Sequence, residues 1–234
     1  MSEKDITKKP EEDIGDVAHT MVKAGLSAIP AVGGPVAEIF AAVVTPPIVK
    51  RRDEWIEAIA KHLKALEGKV DGFKIEHLSQ NPVFITTLMQ ATQAAIRNHQ
   101  EDKIDALRNA VLNAAMPNPP DDDLQLMFLN FVDSFTQWHI RVLVFFDNPS
   151  AWAQEKSIKF PESQSTSLSR LLEHAFTELA GRRDFYDQIA KDLFSRGLLA
   201  SDSLHGTMTI QGALGSRTTP MGKQFIKFIT SPKA

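Results

Sequence analysis

Cysteine is absent from all 234 residues. That excludes a disulfide framework, a zinc–thiolate site and a cysteine nucleophile, and it fits a chain kept in the cytoplasm. Tyrosine occurs once, against fourteen phenylalanines. Alternating Val/Ile runs are scarce, so large sheets are not expected. No large charge of one sign is present either. The net charge is -3, which gives no sign of a polyanion-binding surface or of a disordered, highly charged chain. The opening residues, MSEKDITKKPEEDIGD, are mixed-charge and lack the short apolar core of a secretory signal.

Catalytic signatures are missing too. The seven histidines (His19, His62, His77, His99, His139, His174 and His205) form no HxH, HxxxH or HExxH pattern, so no metal site is expected. Gly33-Gly34-Pro35 and the GALG run at Gly212 lack the context of a phosphate loop, and Gly-x-Ser-x-Gly does not occur. No catalytic residue, cofactor or small-molecule substrate is indicated.

Apolar spacings of three and four residues are what the chain does contain, and they predict a mainly α fold. A first helix is expected over Ile14 to Ile29, after a frayed start at residues 1–12. Pro30, Gly33 and Gly34 then make a turn, and a second helix runs from Pro35 to Val44, closed by Thr45-Pro46-Pro47. Between Ala24 and Val49 the only charge is Glu38. By length this stretch would cross a bilayer, with Lys50-Arg51-Arg52 as its positive flank. The prolines and glycines instead predict a helical hairpin whose arms are each too short to span. Three uses suit such a hairpin, with Ile29, Pro30, Gly33, Gly34, Pro35, Ile39 and Phe40 at its centre. It can be a buried core element, a contact for a partner or a second copy, or a hairpin that enters lipid on activation.

Further along, Trp55, Ile59, His62 or Leu63, and Leu66 stripe one side of a surface helix. Asn81-Pro82 opens another helix, with Phe84, Leu88, Ala91 and Ala95 in line. Ile104, Leu107, Val111 and Ala114 or Ala115 mark a continuation or a close antiparallel partner. After the PNPPDDD break, Asp121-Asp122-Asp123 read as a helix N-terminal cap rather than a cation site. The segment Leu124 to Phe146 is expected as one very apolar central helix, with Asn130, Asp133, Ser134, Gln137 and Arg141 on a narrow polar stripe. Its SFTQWHIRVL patch groups Trp138, His139 and Arg141, either as a core aromatic with a rim arginine or as a ligand pocket.

A bundle domain over 13–155, a linker over 156–166 and a second unit over 167–234 follow from the polar run after Asp147. The tail reads as two helices, a short ribbon at TMTIQGALGS and a closing helix capped at Thr218 or Thr219, a winged-helix-like layout. Residues 166–234 carry 9 basic and 6 acidic side chains, +3, against -6 for the rest. Arg182, Arg183, Lys191, Arg196 and Arg217 are its candidates for nucleic-acid contact, although Asp184, Asp187 and Asp192 share the helix of the first four.

The runs QATQAAIRNHQEDKIDALRNAVLNAA and FVDSFTQWHIRVLVFFDNP and the ending RGLL…TTPMGKQFIKFI resemble a group of uncharacterised bacterial helical proteins with a winged-helix-like C-terminal unit. The resemblance implies a bacterial, cytoplasmic protein and nothing catalytic. Helical proteins with winged tails also occur in phage defence, an analogy at the level of fold. The expectation is a non-enzymatic interaction or regulatory protein acting through protein contacts or self-association. Its alternatives are a membrane-active effector using residues 24–49, at the membrane periphery, and a DNA-binding regulator using the tail.

Overall fold

The computed structural model describes residues 35–161 and 164–232, with side chains from Val44 and from Pro46 onward in the first helix. Among these residues the protein is mainly α, eleven helices with one two-stranded sheet. Ile29, Pro30, Gly33 and Gly34, and with them the first arm and tip of the expected hairpin, lie outside the described residues.

Helix α1 (Pro35–Glu67) overturns one expectation. The break at Thr45-Pro46-Pro47 does not occur, and the helix runs through both prolines, with Ile39 and Phe40 in its first two turns. Proline carries a helical φ, but inside a helix it removes a backbone donor and crowds the carbonyl four residues back. Pro46 and Pro47 are exposed, so water can serve the carbonyls they free one turn back. From Trp55 onward α1 is amphipathic as expected. Trp55, Ile59, Leu63 and Leu66 are buried, and His62 is outside.

The chain then reverses. The Ile75 amide at the start of α2 (Ile75–Leu78) donates to Glu67 Oε1 at 3.3 Å, folding the connector onto the end of α1. Helix α3 (Pro82–Arg97) opens as its sequence predicts, Asn81 accepting from the Phe84 amide at 3.1 Å. It returns antiparallel along α1, and the Trp55 indole donates to Thr92 Oγ1 at 3.0 Å. Helix α4 (Glu101–Ala114) is the antiparallel partner of α3, burying Leu107, Val111 and Ala114.

The lengths do not match. Helix α1 has 33 residues and α3 has 16, about 50 Å against about 24 Å. With Trp55 level with Thr92, the end of α3 comes beside about residue 50 of α1. Residues 35–49 therefore project about 22 Å past the α3 end as an apolar arm. Among residues 44–54 with described side chains, none is fully buried.

The central helix expected over Leu124 to Phe146 is two helices, α5 (Asp122–Ser134) and α6 (Gln137–Asp147). Phe135 and Thr136 are extended, with ψ of 151° and 165°. The break turns Phe135 into the core, against Phe131 at 5.8 Å and flat on the His139 ring at 4.7 Å. A new helix start at Thr136 repays the lost turn, because the His139 ring accepts its amide at 3.2 Å. Asp121 caps α5 as predicted, accepting from Leu124 N–H at 3.0 Å. A short helix α7 (Pro149–Glu155) follows.

In the tail, β1 (Ser165–Thr166) precedes α8 (Leu168–Ala175), a 3-10 turn at Thr177–Leu179 and α9 (Arg183–Ser195). Then come β2 (Met208–Thr209), α10 (Ile210–Ala213) and α11 (Pro220–Ile229). The ribbon expected within TMTIQGALGS is not formed. Met208–Thr209 pairs antiparallel with β1, and Ile210–Ala213 turns helical under a Thr209 cap. A single antiparallel bridge joins Leu199 to Thr218.

One hydrophobic core takes in both sides of the 156–166 run. Phe225 and Phe228 of α11 meet Phe128 of α5 at 5.4 and 5.8 Å. Asn109 and Asn113, one turn apart on α4, cap the free carbonyls of α11. Asn109 Nδ2 donates to Ile229 O at 3.0 Å, and Asn113 Nδ2 to Phe228 O and Thr230 O, both at 2.8 Å. Among the described residues no helix is long and apolar enough to cross a membrane.

Candidate functional site

The SFTQWHIRVL patch lies on α6, and helical spacing sends its three marked residues two ways. His139 is buried on the side of α9, while Trp138 and Arg141 turn to the opposite flank. The structure does not bring the three into one pocket.

On the α9 side, the Nδ1 lone pair of His139 takes the Thr136 amide, with Thr136 Oγ1 at 3.0 Å. The proton therefore belongs on Nε2, which reaches Asp192 Oδ2 at 3.3 Å. The Gln188 amide holds the other Asp192 oxygen at 2.8 Å. Burial pushes the imidazole pKa below its usual value, and the bond to Asp192 pulls the other way. Thr136, His139 and Asp192 stand in line as a hydrolase triad would, but the lone pair that would take the hydroxyl proton is engaged by the backbone. The arrangement caps α6 and fastens it to α9.

On the other flank, Arg141 donates to Asp102 at 2.5 Å and stacks over the Trp138 ring at 5.3 Å. It stands in a groove of about 450 Å³. Asp102, Asp105 and Asn109 of α4 form one wall, Trp152 and Lys156 a second, and Phe176 and Glu178 a third. Ile140, Val144 and Ile229 make an apolar floor. Arg108 neutralises Asp105 at 2.8 Å, as Arg141 does Asp102, so the groove presents paired charges over an apolar base. Sequence reading found only Arg141 here. The other walls come from distant segments, and no local spacing links them.

Of the nucleic-acid candidates, Arg182, Arg183 and Lys191 are exposed. Arg182 covers the Phe185 ring at 4.1 Å, and Arg183 reaches Asp187 at 3.4 Å. The other two face inward. The Arg196 guanidinium lies 5.1 Å from the Phe131 and Phe135 rings, and Arg217 donates to Gly212 O at 2.5 Å. Pro35, Ile39 and Phe40 are in the projecting arm. Among the described residues no group of three or more His, Asp or Glu side chains could hold a metal ion.

Comparison with protein-family models, with curated proteins and with solved structures finds no match.

Proposed function

We propose that the protein is a non-enzymatic interaction protein that works by self-association through the arm of α1. The observation that carries this reading is the overhang. Residues 35–49 extend an apolar helix past the end of α3, and Val44, Ile48 and Val49 stay incompletely buried there. Apolar area in that position lowers the free energy of association by about 25 cal/mol per Å² covered. A winged-helix-like tail serves as a docking unit in this reading. The nucleic-acid alternative has fewer cations to draw on, because Arg196 and Arg217 are committed to contacts inside the fold.

The test is solution mass against concentration by light scattering. The full chain is expected to associate, and Ile48→Glu to remain monomeric with an unchanged circular dichroism spectrum. A chain that is monomeric at every concentration defeats the proposal. Binding to anionic vesicles by a monomeric chain would favour the membrane reading in its place.

A further inference from the structure

We propose that the groove beside Arg141 is a binding site for a small organic cation, an ammonium group carried on an apolar body. The groove's volume of about 450 Å³ falls within the roughly 300–1,000 Å³ of small-molecule sites. Its build is also theirs, with Ile140, Val144 and Ile229 as an apolar floor under a few polar groups. The sign of ligand it favours depends on which charges the fold has left unspent. Arg141 holds Asp102, Arg108 holds Asp105 at 2.8 Å, and Glu155 holds Lys156 at 3.1 Å. Glu178 remains. It lines the third wall, and among the described residues no cation pairs with its carboxylate. Counted with their partners, the groove's four carboxylates thus outnumber its three cations by one.

The aromatic rings favour the same sign. Trp152 and Phe176 line the groove half-buried, their ring centres 5.0 Å apart. An aromatic face carries negative potential and attracts a cation, the more so where water is thinned. The fold uses that attraction once close by, setting Arg141 over Trp138 at 5.3 Å. Among the described residues no protein cation stands over Trp152 or Phe176, so that place is left to one from outside. Asn109 adds an acceptor. Its Nδ2 is spent on Ile229 O at 3.0 Å, which leaves Oδ1 for an incoming N–H. An anion would find Arg141 and Lys156 already neutralised, and would meet Asp102, Asp105 and Glu178 as like charges.

Three probes with one body separate charge from shape: phenethylammonium, phenethyl alcohol and hydrocinnamate. The full chain is isotope-labelled for nitrogen NMR, where its three tryptophans give three indole N–H signals. Trp152 reports the groove, Trp55 on α1 is the control, and Trp152→Phe identifies the reporting signal. Phenethylammonium is expected to move the Trp152 signal saturably and to leave Trp55 in place. The alcohol should bind several-fold more weakly, and hydrocinnamate more weakly still. Glu178 is exposed, so Glu178→Gln leaves folding intact, and it should weaken the ammonium several-fold, to near the level of the alcohol. A Trp152 signal that ignores the ammonium, hydrocinnamate binding as tightly as the ammonium, or an unchanged affinity in Glu178→Gln overturns the assignment. So does a Trp152 signal that moves when the protein alone is diluted, which would put a second copy in the groove.

Discussion

The indole of Trp55 and the hydroxyl of Thr92 join α1 to α3 through a 3.0 Å hydrogen bond. Thr92 passes the chain of donors on, giving its own proton to Leu88 O at 2.7 Å. Trp55 is buried, so its N–H has no ready substitute partner. Thr92→Val keeps the shape and strands the indole donor, and should cost about 1–3 kcal/mol. Trp55→Ala also opens a cavity and should cost about 3–5 kcal/mol. Urea unfolding of the two variants measures both. A neutral Thr92→Val would mean that the indole finds water and that the bond does not set the α1–α3 register.

His139 makes stability depend on pH. Its folded-state pKa is depressed, chiefly by burial, so between that value and the ordinary 6.5 the unfolded chain binds more protons than the folded one. Stability contributed by the neutral ring is therefore fully present above about pH 6.5 and falls as the pH drops towards the folded-state pKa. Around the ring, Asp192 opposes this direction, while Arg196 and Lys103 reinforce it. The melting temperature should fall between pH 7 and pH 5. His139→Gln, which can still accept the Thr136 amide, should flatten that part of the profile.

Much of the helical layout could be read from the chain because helix starts are local chemistry. Asn81-Pro82, Asp121 and Thr219-Pro220 each place a side-chain acceptor before the first free amides, and each caps its helix. The stripe Trp55, Ile59, Leu63, Leu66 is local for the same reason. What could not be read depends on partners far along the chain. Helix α5 ends at Ser134, and the extended Phe135 sets its ring among Phe131, His139 and Phe225, contacts that no local spacing announces. Thr209 pairs with Ser165, 44 positions back, and no turn signal announces it. The groove at Arg141 is built from segments that meet only in the fold. The prolines at 46 and 47 misled because proline costs a helix a donor without forbidding it, and exposure lowers that cost.

The lone tyrosine gives a spectroscopic readout of the tail. Burial and the bond from Tyr186 OH to Glu173 Oε1 at 2.9 Å push the phenol up to about 12. Because the chain has no other tyrosine, absorbance at the phenolate band reports this group alone. Its midpoint should lie near 12 in the folded protein, fall somewhat in Glu173→Gln, and return to about 10 on unfolding. The sign follows. Above about pH 10 the unfolded chain loses a proton that the folded chain keeps, so stability declines from there up to the folded-state value. A native midpoint near 10 would show that the phenol is open to water and that the Glu173 contact does not persist.

Gly222 tests how tightly the last helix is seated. It lies in the first turn of α11, where Thr219 caps the helix and its amide donates to Leu198 O at 3.0 Å. A Cβ built on Gly222 would stand 2.2 Å from that same Leu198 carbonyl oxygen. The obstacle is backbone held by hydrogen bonds, so it cannot swing aside as a side-chain tip would. Relief requires α11 to lift away from the 197–199 segment, loosening Phe225 and Phe228 from Phe128 at the centre of the core. Gly222→Ala should therefore destabilise the whole protein by about 1–3 kcal/mol or more, despite the helix preference of alanine. Gly206 meets nothing within 4 Å, and Gly206→Ala should change stability little. Melting temperatures of the two variants separate close packing from a general effect of replacing glycine. If Gly222→Ala melts with the parent, α11 is free to shift, and the asparagine caps from α4 are what hold it in place.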